Sequence, residues 1–108
     1  MEGKFLVVLV TAPKEKGEEM ARRILEKGLA ACVNICDIKS FYWWKGKIEE
    51  NGEDLLIIKT TENVYKRLEE FIREIHPYEM PEIIALEIDR GLDKYLKWVE
   101  EETKLASE

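Results

Sequence analysis

An α+β domain with a βαββαβ core and a C-terminal helix is the fold class that this sequence predicts. Three observations carry that expectation. Residues 5–10, FLVVLV, form an unbroken apolar run, the pattern of a central strand covered on both faces. Two later segments place their apolar residues at helical spacing. Residues 30–44 and 55–61 are rich in β-branched and aromatic side chains with no helical period. A chain of 108 residues suits one domain, 1–108, long enough to bury a core.

In order, the first strand covers residues 4–10 and is followed by Thr11-Ala12-Pro13. Pro13 suits the first turn of a helix. Met20, Ala21, Ile24 and Leu25 then mark the buried face of that helix, and Gly28 its stop. Residues 30–44 and 55–61 read as strands that pair. Two turns compete for the connection. Asn51-Gly52 is the stronger local signal, but it sets Glu50 against Glu53 and Glu49 against Asp54. Lys45-Gly46 sets Trp44 against Lys47 and Trp43 against Ile48, and is preferred, with Asn51-Gly52 as a bulge.

Each hairpin arm then runs to about 15 residues, or ~50 Å, well beyond a usual strand. The hairpin must overhang its sheet, with Phe41, Tyr42, Trp43 and Trp44 near its tip. An isolated monomer should not leave that patch in water, so a second copy of the chain is expected to cover it. The second helix spans residues 62–75, with Val64, Leu68, Phe71, Ile72 and Ile75 in one stripe. Pro77 ends it, residues 83–89 form the last core strand, and a third helix covers 92–104. This order is the ferredoxin-like split βαβ arrangement.

Charged residues make up 37% of the chain and the net charge is −6. Nucleic acid as a partner is disfavoured, because phosphate binding needs a basic stripe. No run approaches the ~18 apolar residues of a membrane span. Met1-Glu2-Gly3-Lys4 and the short apolar run after it do not fit a secretory leader, so a cytoplasmic protein is expected.

No dinucleotide, phosphate-loop or nucleophile-elbow motif is present, and no catalytic constellation can be named, so no enzyme is expected. His76 is the sole histidine, at the end of the second helix, where it reads as a capping residue or a metal ligand. Cys32 and Cys36 read as small buried side chains. On one strand they stand about 13 Å apart, beyond the ~7 Å that a disulfide spans. Glu49, Glu50, Glu53 and Asp54 read as a solvated hairpin edge. Lys59-Thr60-Thr61 and His76-Pro77-Tyr78-Glu79-Met80-Pro81 lie at element ends, where functional loops sit.

These stretches together resemble the CutA divalent-cation tolerance family. The matching segments are Thr11-Ala12-Pro13, Leu29-Ala30-Ala31-Cys32-Val33-Asn34, Tyr42-Trp43-Trp44-Lys45-Gly46-Lys47-Ile48 and Lys59-Thr60-Thr61. His76-Pro77-Tyr78-Glu79-Met80-Pro81-Glu82-Ile83 and Tyr95-Leu96-Lys97-Trp98 complete the set. The resemblance implies a ferredoxin-like fold in a tight homotrimer, similar to the PII signalling proteins, with Phe41, Tyr42, Trp43 and Trp44 in its interface. It implies a part in heavy-metal tolerance, with copper or another divalent metal as ligand and no required cofactor.

Copper-ligating members carry a Cys before Thr-Ala-Pro and two adjacent His before Pro-Tyr. The matching positions here are Val10, Ile75 and His76, which argues against that site and leaves His76 and then Cys32 as metal candidates. Glu53, Lys59, Tyr78 and Glu79 fall at family motif positions that would line an inter-subunit cleft for a small ligand. The implied partners are the chain itself and a small molecule or another protein.

Overall fold

The computed structural model describes residues 4–104, so the lead Met1-Glu2-Gly3 lies outside it. The elements are β1 (Phe5–Pro13), α1 (Gly17–Glu26), β2 (Cys32–Trp44), β3 (Lys47–Thr61), α2 (Glu62–Ile75), β4 (Ile83–Glu87) and α3 (Asp93–Glu102). The strands form one antiparallel sheet in the order β2-β3-β1-β4, the ferredoxin-like arrangement with β1 inside.

Helices α1 and α2 cover one face. Leu6, Val8, Val10 and Ala12 of β1 meet Leu56 and Ile58 of β3 there, against Met20 and Ile24 of α1 and Val64, Leu68 and Ile72 of α2. Alternation then sends Val7 and Leu9 to the opposite face. Helix α3 closes one end of that face, where Leu96 and Val99 pack on Phe5 with Ala31 and Ile88 beside them. The rest of the face is open.

The hairpin turns at Lys45-Gly46. Both residues hold positive φ, 50° and 79°, as a two-residue turn matched to strand twist requires. Beyond the end of β1, residues 39–44 and 47–52 continue pairing with each other alone, which is the expected overhang. The expected bulge at Asn51-Gly52 is absent. Lys39 pairs with Gly52 and Ser40 with Asn51 in unbroken register, and the Asn51 amide donates to the Tyr42 hydroxyl across the hairpin. The side chain that signalled a turn is used as a cross-strand tie.

Pro13 is also placed differently. It is the last residue of β1, opposite Glu53, and α1 begins at Gly17. The helix start is set from β3, where Asp54 Oδ2 accepts the backbone N–H groups of Glu15 and Gly17, each at 3.0 Å. Glu15 sits at φ 74° to allow this. At the other end Gly28, at φ 72°, donates to Leu25 O while Leu29 donates to Ile24 O, the paired bonds of a Schellman stop. Strand β4 and helix α3 are each slightly shorter than periodicity predicts, the usual fraying of boundaries.

Candidate functional site

The overhanging part of the hairpin and the loop after α2 flank a groove of about 770 Å³. Its walls come from β2 and β3 on one side, with Tyr42, Trp44, Glu49 and Glu53, and from Tyr78, Glu79, Met80 and Glu82 on the other. Thr11 forms part of the floor.

A line of hydrogen bonds holds the loop in place. His76 is the C-cap residue of α2 and its ring is buried, at 8% exposure. Nε2 lies 2.7 Å from the Thr11 carbonyl, which can only accept, so Nε2 carries the hydrogen. Nδ1 accepts the backbone N–H of Tyr78 at 3.1 Å. The Tyr78 ring tilts against the imidazole, with centroids 4.9 Å apart. Its hydroxyl donates to Glu53 Oε2 at 2.9 Å. Burial, and then the neighbouring Glu53 carboxylate, push the Tyr78 phenol up to about 12.

Three of the four cleft candidates thus stand together: Glu53, Tyr78 and Glu79. Lys59 does not join them within the chain. It lies six residues along β3 from Glu53, roughly 20 Å away, where its ammonium meets the Asn34 amide oxygen. Glu53 and Asp54 are buried, at 5% and 9% exposure, and do not form the solvated edge that was expected. The end of β1 and the loop before α1 cover them, contacts between segments distant in sequence.

Neither metal candidate has a metal-binding neighbourhood. Both His76 nitrogens are engaged within the chain. Cys32 pairs in register with Lys59, which stands opposite Val7, whereas His76 bonds to Thr11. The two are therefore separated by at least about 13 Å along the strands and cannot share an ion within one chain. Among the described residues no three His, Cys, Asp or Glu side chains are grouped to hold a metal.

Cys32 is half-buried and Cys36 exposed, not the buried pair expected, because β2 is an edge strand on the open sheet face. Both thiols are free. The Tyr95 phenol reaches Cys32 from α3, and burial followed by that thiol raises its pKa.

The four hairpin aromatics are exposed, Phe41 at 64% and Trp43 at 72%. A second apolar surface escaped sequence reasoning. On the open sheet face, Ile84 and Leu86 of β4 are half or more exposed and flank Leu9 and Val7 in register. The signal was present in the consecutive apolar residues of residues 5–10 and 83–86, which demand cover on both sides of the sheet.

The model of the CutA1 divalent ion tolerance protein family matches residues 6–102. The chain belongs to this family. It is 43% identical over 101 residues to the divalent-cation tolerance protein CutA of Pyrococcus horikoshii, covering 93% of this chain and 99% of that one. It is 48% identical over 107 residues to Protein CutA of Mus musculus, covering 97% of this chain and spanning 60% of the mouse protein's length. The crystal structure of CutA1 from Oryza sativa superposes with a TM-score of 0.91 at 47% identity, covering 94% of each chain. The PII-like protein CutA from Nostoc sp. in its apo form superposes with a TM-score of 0.88 at 38% identity, covering 94% of this chain and 98% of that one. The resemblance and the ferredoxin-like fold drawn from motifs are both borne out. No helix among the described residues is long and apolar enough to cross a membrane.

Proposed function

We propose that this CutA1 family chain acts as a non-catalytic homotrimer in the cytoplasm, contributing to tolerance of divalent metals. The observation that carries the reading is the apolar surface left on both overhang and sheet. Phe41, Trp43, Ile84 and Leu86 are each at least half exposed, and Trp44 is 44% exposed. A surface of this kind calls for a partner of the same chemistry, most simply the same chain. Self-association also agrees with the long hairpin, whose residues 39–44 and 47–52 pair only with each other beyond the end of β1.

Copper is the metal to test first, and a site for it would have to draw ligands from more than one subunit. The deciding experiment is the solution mass by light scattering after size exclusion, with and without Cu²⁺. A trimer that forms without metal supports the reading; a monomer, or assembly only with Cu²⁺, overturns it. Metal binding is then judged by Cu²⁺ titration of the assembled protein. Affinity no tighter than about millimolar would remove direct metal sensing.

A second reading is favoured by the groove itself. A concave site with convergent polar groups and aromatic walls is the usual form of a small-molecule site. In this reading the protein responds to a small ligand, in the manner of a PII-like signalling protein. A ligand bound there would raise the melting temperature by linkage.

A further inference from the structure

Asn51-Gly52 is a turn signal in the sequence, yet it stands in an exposed, paired stretch of strand at the base of the hairpin overhang. An asparagine followed by glycine is open to attack by its own backbone. The nitrogen of the next residue reaches the side-chain carbonyl carbon, and glycine has no Cβ to block the approach. The other asparagines are less open to this, since Asn34 precedes Ile35 and Asn63 precedes Val64, both β-branched.

The ladder leaves the attacking nitrogen free. The two-residue turn at Lys45-Gly46 is closed by Trp44 and Lys47, the pair that exchanges both backbone bonds. Bonded and non-bonded pairs then alternate, so Ser40 and Asn51 are bonded while Lys39 and Gly52 are not. The Gly52 N–H therefore points away from β2, on the side where β1 has already ended opposite Glu53. A Cβ built on Gly52 would meet only Lys14 Cδ among the described residues, at 3.6 Å, so a ring has room to close. One contact opposes the reaction. The nitrogen that must leave, Asn51 Nδ2, donates to the Tyr42 hydroxyl.

We propose that Asn51 is a site of spontaneous deamidation, with the Tyr42 hydroxyl setting its rate. Gly52 N gives its proton to hydroxide and bonds to Asn51 Cγ. The Cγ–Nδ2 bond breaks, and Nδ2 leaves as ammonia, taking a proton from water and restoring the hydroxide. Water then opens the cyclic imide at either carbonyl. Cleavage at Cγ gives aspartate; cleavage at the Asn51 backbone carbonyl gives isoaspartate, whose main chain runs through Cβ and Cγ. Either product adds a negative charge to a strand that already carries Glu49, Glu50 and Glu53. Isoaspartate also breaks the pairing register from which the hairpin tip extends. The inference rests on neither metal binding nor self-association.

The test holds the folded full-chain protein at mildly alkaline pH and constant temperature. Peptide mapping with mass detection then registers the exchange of NH₂ for OH and separates aspartate from isoaspartate. Conversion is expected at Asn51 ahead of Asn34 and Asn63. It should run about fivefold faster in Tyr42→Phe, the scale of one neutral hydrogen bond. An Asn51 still intact in the folded protein long after the urea-unfolded chain has converted would overturn the proposal, because the strand would then block the attack. A Tyr42→Phe rate equal to that of the wild type would also overturn it. So would an acceleration shared by Asn34 and Asn63, which reports general loosening and not the loss of one tie.

Discussion

Asp54 and Gly17 lie 37 positions apart in the sequence, yet the Asp54 carboxylate sits 3.0 Å from the Gly17 backbone nitrogen. The same oxygen accepts from Glu15, so a β3 side chain provides the cap that Lys16, the local N-cap residue, does not. Space there is closed. A Cβ added to Gly17 would stand 2.9 Å from the Cβ and Oδ2 of Asp54.

Asp54→Ala is expected to lower stability by about 1–3 kcal/mol, because it leaves two orphan N–H groups at a buried helix start. Gly17→Ala should cost a similar amount, about 1–3 kcal/mol, through overpacking. Urea unfolding midpoints at neutral pH measure both. The double variant should cost less than the sum, since each change releases the strain or the demand that the other creates.

Tyr78 predicts an alkaline loss of stability. Its folded pKa of about 12 lies above the ordinary 10.0, so the folded state holds the phenol proton more tightly than the unfolded chain does. The stabilisation is fully present below pH 10 and is lost as pH rises through about 12. Tyr65 and Tyr95 are also raised, so the comparison must be with Tyr78→Phe. The stability gap between wild type and Tyr78→Phe should stay constant below about pH 10 and shrink above it. A gap that does not change across that range would show that neither burial nor the Glu53 contact holds the phenol proton in the folded state.

Leu86→Glu should disrupt assembly. It sets a charge on the open sheet face opposite Val7, where a second copy is proposed to pack. Trp44→Ala removes a large anchor from the hairpin and should weaken association by about 2 kcal/mol, roughly 30-fold. Mass against concentration by light scattering reads both variants. If Leu86→Glu stays fully assembled at the lowest concentration measured, the sheet face is not the interface.

His76→Ala should act on stability and on the groove. It leaves the Thr11 carbonyl and the Tyr78 N–H without partners, at a cost of about 1–3 kcal/mol. Cu²⁺ affinity, measured by calorimetry, should be unchanged, because the ring would have to give up one of these two bonds before it could ligate. A marked loss of Cu²⁺ affinity would show that assembly rearranges this loop.

Much of the fold was legible in short-range pattern. The stripe from Val64 to Ile75 gave α2 with its observed bounds, and Gly28 marked the stop of α1. Repulsion among Glu49, Glu50, Glu53 and Asp54 was enough to choose Lys45-Gly46 over the stronger local turn signal. What misled the reading was also local. Asn51-Gly52 looks like a break until Tyr42 stands beside it, and Pro13 looks like a helix start until Asp54 moves that start to Gly17.

By itself the sequence determined the element order, the overhanging hairpin and the family, since these depend on residue type and spacing within a few turns or one strand. Tertiary structure alone decided the site. His76 meets Thr11 across 65 positions and Tyr78 meets Glu53 across 25, while Lys59, equally suggestive in the sequence, is carried to the other end of β3. Burial decides the chemistry in the same way. Glu53 and Glu49 are alike as residues, but the sheet order and register bury the first and leave the second in water.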